Sequence, residues 1–441
     1  MAEVKKRWLA GAAALVALVA CADVAVLPEH ETQGPSPRLG AVQKSLIPTV
    51  HVADAQGWPA GGQPIAVSGW RVTPFATKLS HPRWIHVLPN GDVLVAESNK
   101  PESQEKEHHG IRAFFMKIMM KKAGAGVPSA DQITLLRDAD GDGVAETRTV
   151  LIDKLKSPFG MVLLGGQLYI ANADAIVKVP FKPGDTRITA TPTTVTELPA
   201  GINHHWTKNI IASRDGAKLY ATVGSNSNVA ENGMSAEEGR AAIWEVDVAS
   251  GNKRLFASGL RNPNGMGWEP SSNALWTVVN ERDELGSDLV PDYLTQVVDG
   301  AFYGWPWSYW GQNVDTRVEP PNAQKVAAAR MPDYSLGNHV APLGLAFSDG
   351  KLPAPFASGA FVGEHGSWNR KPFSGYKVVF VPFEGGRPKG LPVDFLTGFL
   401  SADGKAFGRP VGVALDAKGG VLVADDVGNA IWRVAPSRQT P

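Results

Sequence analysis

Short apolar runs of strand length recur along this chain between polar turns, and several open on the same step, Pro-x-Gly-apolar. The step stands at Pro158-Phe159-Gly160-Met161, Pro263-Asn264-Gly265-Met266, Pro342-Leu343-Gly344-Leu345 and Pro410-Val411-Gly412-Val413, with Pro82-Arg83-Trp84-Ile85 as a variant without the glycine. A second run follows each after a polar turn, at Leu94, Leu168, Leu219, Leu275, Phe361 and Leu422. Pro82 to Leu94, Pro263 to Leu275 and Pro410 to Leu422 share one spacing, and the same count back from Leu219 lands on Thr207, beside Asn203-His204-His205-Trp206. Such self-similarity is the mark of a repeat architecture. Third runs follow, as at Ala242–Val246 and Ala430–Val434, but after the last of these the chain ends without a fourth. Near the start, Trp70–Ala76 leads into His81-Pro82 as a fourth strand leads into the next unit, and pairing it with the final unit removes both open sheet edges. The pattern predicts an all-β fold, a six-bladed β-propeller over residues 65–437 closed by its N-terminal strand.

Composition narrows the picture. The chain has 441 residues with 43 basic and 43 acidic side chains, a balance that argues against a nucleic-acid partner. Its 47 glycines and 33 prolines suit a turn-rich globular protein. Lys5, Lys6 and Arg7 precede an apolar run from Trp8 to Ala20, a basic and apolar leader too short for a comfortable membrane span. It ends Leu18-Val19-Ala20-Cys21, which resembles a bacterial lipoprotein signal over residues 1–21, with Cys21 acylated and the protein exported to the periplasm on a lipid anchor. Cys21 is the single cysteine, so the chain forms no internal disulfide and carries no CxxCH haem site. Residues 22–64, rich in Pro, Gly and Ala without a period, are expected to be a flexible linker.

In a four-stranded blade the links from strand two to three and from strand four to the next blade lie on one face. Those links carry His81, His204, His205, Arg261, Asn262, His339 and Arg409, together with Asn228, Glu281, Asp283, Glu284, His365, Asn369 and Asp426. A mouth with convergent polar groups is the expected active site. On the opposite face, Asp138-Ala139-Asp140-Gly141-Asp142-Gly143 with Glu146 beyond reads as the start of a calcium loop, where hard oxygens converge around a turn that needs glycine. Thr149 stands where such a loop usually has its bidentate glutamate. Between Glu97 and Asp131 lies an insertion in the first blade, helical over about residues 100–130. There Ile111, Phe114, Phe115 and Ile118 with Arg112, Lys117, Lys121 and Lys122 form a basic amphipathic pattern suited to a lid, a membrane-surface contact, an acceptor dock or a simple cap.

Several of these stretches resemble the glucose/sorbosone dehydrogenases, six-bladed propellers that use pyrroloquinoline quinone (PQQ). They are Asn203-His204-His205, Gly259-Leu260-Arg261-Asn262-Pro263, Tyr303-Gly304-Trp305-Pro306 and Gly408-Arg409-Pro410, within a similarity covering roughly Trp70 to Val434. Asn280–Gly286 is most similar to the sorbosone-dehydrogenase branch. The resemblance implies oxidation of an aldose or related sugar, with electrons passed to an external acceptor. It implies Arg261, Asn262 and Arg409 as cofactor positions, with His365 where the family has a lysine, and a Ca²⁺ held by backbone carbonyls near Asp283 and Glu284. It further implies a histidine base, His205 or alternatively His204, acting beside Arg261. The chain departs from the pattern where the acidic partner of that base falls near Ser225, a glutamine near Pro158 and a second arginine near Phe407. Two other readings stay open: a propeller lactonase with calcium held by channel carboxylates such as Glu281, and a binding propeller without catalysis.

Overall fold

In the computed structural model, residues 23–43, 49–101, 119 and 122–437 are described. Six sheets stand radially around one axis, and the all-β propeller expected from the repeat is the observed architecture. Five of them take their four strands in chain order from the axis outward. They are Pro82–Val87, Val93–Glu97, Gln132–Arg137 and Thr147–Ile152 in the first blade, then blades beginning at Met161, Ile210, Asn262 and Pro342. The sixth consists of Pro410–Leu415, Val421–Asp425 and Ala430–Pro436 from the end of the chain, with Trp70–Ala76 from its beginning. Trp70–Ala76 lies antiparallel to the last strand, Val72 opposite Val434, so the predicted closure is present. Ile65–Ala66 adds an outer strand to the fifth blade.

The blades pack face to face, so a middle strand is buried on both sides and reads as continuous apolar sequence. In Val421–Asp425, Leu422 and Ala424 pack toward the first blade while Val421 and Val423 pack toward the fifth, the alternation of a pleated strand. Outer strands such as Thr193–Glu197 and Lys253–Ser258 keep mostly polar or half-exposed residues.

The Pro-x-Gly step has a specific mechanical meaning. The proline, which has no N–H to donate, opens the inner strand, and the register then shifts by a bulge between Pro263 and Met266, between Pro342 and Gly344, and between Pro410 and Val413. The glycine brings neighbouring inner strands into contact. A Cβ on Gly160 would lie 2.4 Å from the Ile210 nitrogen, one on Gly265 2.6 Å from the Leu345 nitrogen, and one on Gly344 2.2 Å from the Val411 oxygen. On Gly412 it would lie 2.8 Å from the Arg83 oxygen. Where the first blade has Trp84 in place of glycine, the gap is filled by rings: Trp84 packs on Phe159 at 5.1 Å and Phe159 on Trp206 at 6.1 Å between centroids. Trp206, the last of these rings, lines the mouth cleft.

Residues 23–43 and 49–64, expected to be a free linker, are instead folded onto the mouth side of the propeller. The Val26 and Leu27 amides donate to Asp288, the Gln43 amide donates to the Leu285 carbonyl at 2.9 Å, and Asp54–Ala55 pairs in parallel with Lys405–Ala406. The Trp58 indole donates to Asp425 at 2.7 Å and packs edge-on against Phe399 and Trp432. Composition misled because scattered single anchors, such as Trp58 and His51 stacked 3.8 Å over Phe373, hold an aperiodic arm as well as a strand does.

The leader, Cys21 and most of the predicted insertion helix lie outside the described residues; Met119 and residues 122–126 of that insertion sit against the mouth, where Lys122 pairs with Asp54 at 2.9 Å. No helix among the described residues is long and apolar enough to cross a membrane.

If the glycine contacts set the ring, Gly344→Ala should lower stability by about 1–3 kcal/mol through overpacking. Gly165→Asn, at a hairpin with φ of +58° and nothing within 4 Å, should change little. Urea unfolding midpoints of the two variants read the difference directly.

Candidate active site

The mouth holds a cleft of about 380 Å³. It gathers His81, His204, His205, Arg261, Asn262, Glu281, Asp283, His339, His365, Asn369, Arg409 and Asp426 from the predicted face, and Val50 and Val52 from the arm close one side.

His204 and His205 sit on the turn before the short inner strand Ile210–Ala212. Asn203, with φ of +51°, starts that turn, and its side-chain oxygen is clamped by Lys208 at 3.0 Å and Arg240 at 2.9 Å. The two histidine rings stand edge to face at 4.9 Å, His204 exposed and His205 half-buried. His205 Nδ1 lies 2.9 Å from the Ser225 carbonyl and 3.0 Å from Ser225 Oγ. That hydroxyl donates its own hydrogen to the Ser227 carbonyl at 2.7 Å, so both groups facing Nδ1 are acceptors. Nδ1 therefore carries the proton, and Nε2 is the basic nitrogen. Burial, then the charge of Arg261, holds the imidazole well below its usual pKa, so the ring is neutral at neutral pH. Ser225 thus orients His205 through a carbonyl and a hydroxyl where an acid was expected.

Arg261 is almost fully engaged. It donates to the Glu281 carbonyl at 2.5 Å, to the Asn228 carbonyl at 3.2 Å and side chain at 3.1 Å, and to Asp283 at 2.9 Å. Its neighbour Asn262 is buried with its side-chain oxygen unpartnered.

A second cluster forms around Asp426. Arg83 and His365 bond its Oδ2, the latter at 2.9 Å, and His81 approaches to 3.5 Å. Asp426 is held well below the usual carboxylate range by His365, His81 and Arg83, whose effect exceeds the opposing burial. Burial lowers His365 to about 4, so this ring is neutral as well. Arg409 completes the cluster, 5.1 Å over the Tyr376 ring and donating to its hydroxyl at 3.0 Å. Arg83 and Arg409 are both buried, and each leaves Nε without a partner. Arg83 was not singled out from the sequence, although a signal existed: it is the charged residue at the middle of a step whose other members carry Phe159, Asn264, Leu343 and Val411.

Asp292 was also missed. It lines the cleft from within a strand, accepts the Glu281 amide at 2.7 Å and the Ala341 amide at 2.8 Å, and is pushed up to about 8 by burial.

The expected backbone calcium site at Asp283 and Glu284 does not match this arrangement. The Asp283 carbonyl accepts Arg317 at 3.0 Å and Asn228 at 3.2 Å, while its carboxylate accepts Arg261 and Asn369. Arg317 on the carbonyl and Arg261 on the carboxylate bring positive charge to Asp283, which opposes a divalent cation there. Glu284, with φ of +70°, faces an adjoining cleft instead. Of the channel carboxylates, Glu281 pairs with Arg282 through one oxygen and Asp283 with Arg261. On the opposite face, Asp138, Asp140, Asp142 and Glu146 do converge, their ligand oxygens within 4.8 Å of one another, with Lys418 Nζ 3.0 Å from Asp138.

Comparison with known proteins agrees with this geometry. The TrAA12-like family model matches residues 118–294 and 312–437. An uncharacterised protein of Borreliella burgdorferi is 32% identical over 224 residues, 49% of this chain and 57% of that protein. The pyrroloquinoline quinone-dependent pyranose dehydrogenase of Coprinopsis cinerea is 24% identical over 361 residues, 71% of this chain and 44% of that enzyme. The chain thus spans about half the length of the curated relatives it matches. The holo form of the PQQ domain of the Coprinopsis cinerea pyranose dehydrogenase superposes with a TM-score of 0.67 at 22% identity, covering 85% of this chain and 97% of that one, a likeness of fold. With more than half of its length matched by one family model, the chain belongs to the TrAA12-like family.

Proposed function

We propose that the mouth cleft binds PQQ and that the protein oxidises a sugar at its anomeric carbon, passing the electrons to an external acceptor. The observation that carries this reading is the pair of buried arginines, Arg83 and Arg409, each with an unpartnered Nε, lining the same cleft as a neutral, oriented His205. An orphaned buried donor costs about 1–3 kcal/mol, more when charged, so the cleft is built for an anionic guest. A flat tricarboxylate fits that donor set: Arg83 and Arg409 take carboxylates in charge-assisted pairs, with the Asn262 amide and His365 beside them. When bound, PQQ supplies the two-electron acceptor.

The chain supplies orientation and proton transfer. His205 Nε2 accepts the proton of the anomeric hydroxyl as the C1 hydrogen departs with its bonding pair as hydride, and the product is the lactone. His204, more exposed and edge-on, shapes the approach. Arg261 keeps His205 unprotonated and offers fixed positive charge against the developing alkoxide, its geometry locked by Asn228, Glu281 and Asp283. The family match and the pyranose dehydrogenase relative support this reading, and the similarity of Asn280–Gly286 to the sorbosone branch supports an aldose or sugar aldehyde as substrate. The leader ending at Cys21 supports export on a lipid anchor. On the far face, the four converging carboxylates are the site for a structural Ca²⁺.

Incubating the protein with PQQ and offering aldoses with an artificial electron acceptor should give dye reduction that depends on PQQ; lactone hydrolysis without PQQ would point to the hydrolase instead. His205→Gln should lower kcat by about 10²–10⁴-fold, the range for loss of a positioned base, whereas His204→Gln should cost much less. A base stops working once protonated. Because the His205 pKa is depressed, the acid limb of kcat/KM should fall well below 6.5, and a limb at or above 6.5 would remove His205 from the role. Calcium should raise the unfolding temperature, by about 2.7 kcal/mol of stability at a hundredfold excess over its dissociation constant, and Asp140→Asn with Asp142→Asn should abolish that rise.

A further inference from the structure

The turn that carries His205 and the group that orients its ring belong to separate stretches of the third blade. The turn, residues 199–205, comes before the inner strand Ile210–Ala212, whereas Ser225 follows the second strand Lys218–Val223. Two long hydrogen bonds join the stretches directly, from the His205 amide to the Ser225 carbonyl at 3.3 Å and from the His204 amide to Asn226 Oδ1 at 3.4 Å. Bonds of that length are weak and set a spacing loosely.

One side chain bonds both stretches more firmly. Arg240 ends the link between the second and third strands, two residues before Ala242–Asp247, and is 5% exposed. Its Nη1 donates to the Gly224 carbonyl at 2.7 Å, one residue before Ser225. Its Nη2 donates to Asn203 Oδ1 at 2.9 Å, the Ala200 carbonyl at 3.0 Å and the Pro199 carbonyl at 3.2 Å, all on the turn before His204. A guanidinium is a rigid planar fork, so these bonds fix Gly224 and Asn203 relative to each other. Each acceptor is a neutral oxygen. Burial lowers Arg240 to about 10, which leaves it charged at neutral pH. Ion pairing does not account for a cation kept there at the cost of desolvation; the fork does.

Both ends of the bridge are fixed. Asn203 donates through Nδ2 to the Ala173 carbonyl at 2.9 Å, which turns its Oδ1 toward Arg240 and Lys208. A Cβ on Gly224 would lie 2.4 Å from Asn262 Oδ1 and 2.5 Å from His205 Cβ, so this residue has no freedom to carry a side chain. The Ser225 amide donates to the Arg261 carbonyl at 2.8 Å. A shift of Gly224 therefore moves Ser225 against the His205 ring.

We propose that Arg240 is a positioning residue for His205, holding the Ser225 carbonyl and hydroxyl against Nδ1 so that Nε2 stays the basic nitrogen. Its consequence for catalysis rests on the sugar-oxidation reading, but the orientation of the ring does not.

The test uses the complete chain. Long-range proton–nitrogen NMR of the histidine side chains, without cofactor and at a pH where the ring is neutral, reads the His205 tautomer, with His205→Gln assigning its signals. The unsubstituted protein should show one tautomer, protonated on Nδ1. Arg240→Lys keeps the charge and loses the fork, and Arg240→Met loses both; each should give a mixture in which the form protonated on Nε2 appears. With PQQ and an artificial acceptor, each should lower kcat by up to about 10²-fold, the cost of a misplaced catalytic group, with KM nearly unchanged. If neither variant folds, Asn203→Gly, which suits the φ of +51° and removes one end of the bridge, should give the same mixture. Folded variants in which His205 keeps its single tautomer would overturn the proposal, and sugar oxidation by the unsubstituted protein in that case would leave the oxidation reading standing. Mixed tautomers in the variants, with no sugar oxidised by the unsubstituted protein, would keep the positioning role and remove the oxidation reading.

Discussion

The closest constraint in this molecule is the contact of glycine with backbone between neighbouring inner strands. Gly265 against Leu345, Gly344 against Val411 and Gly412 against Arg83 leave no room for a side chain, and they hold four successive blades, the fourth, fifth, sixth and first, close together. Trp70–Ala76 pairs with the last strand of the sixth blade, whose inner strand meets the first blade at Gly412 and Arg83. The first blade carries Trp84 where those steps have glycine. Trp84, Phe159 and Trp206 pack there, and Arg83 lies over the last two, 5.9 Å from Phe159 and 5.8 Å from Trp206. The same asymmetry that makes the repeat imperfect therefore places a buried cation in the mouth cleft.

From this frame the electrostatics of the cleft follow. Arg83 pairs with one low-lying carboxylate, Asp426, and Arg409 donates to the Tyr376 hydroxyl, while His81, His205 and His365 are all kept neutral by burial. The cluster around Asp426 is thus cationic with unspent donors, whereas the cluster around Asp283 is balanced by Arg261 and Arg317. Anion recognition and proton transfer are separated across one cleft, the first near Arg83 and Arg409 and the second at His205. A quinone carboxylate and a sugar hydroxyl can then be met by different residues without competing.

How much of this the sequence disclosed depends on whether a feature repeats. Blade number, the closing strand and the shared face of His205, Arg261, His365 and Arg409 were legible because spacing recurs and because blade connections alternate ends. Asp425 and Trp58 were not legible, since their hydrogen bond joins residues 367 apart in sequence with no periodic signal at either end. Arg83 was visible only as the charged member of a step whose other members carry Phe159, Asn264, Leu343 and Val411. A backbone calcium site at Asp283 was beyond the reach of the sequence for a related reason: the sequence places carbonyls there, but whether a carbonyl is free depends on Arg317 and Asn228, which reach it from other blades and loops. The arm was misread because composition registers flexibility of the unfolded chain, while order here comes from a few long-range anchors.

The central claim is that Arg83 and Arg409 hold an anionic, planar guest within reach of His205. A crystal structure of the protein soaked with PQQ tests it most directly. Electron density for the quinone with its carboxylates on Arg83 and Arg409, and an open position above it facing His205 Nε2, is the predicted result. Quinone density elsewhere, or a cleft in which both arginines keep their present contacts and bind nothing, would contradict the account.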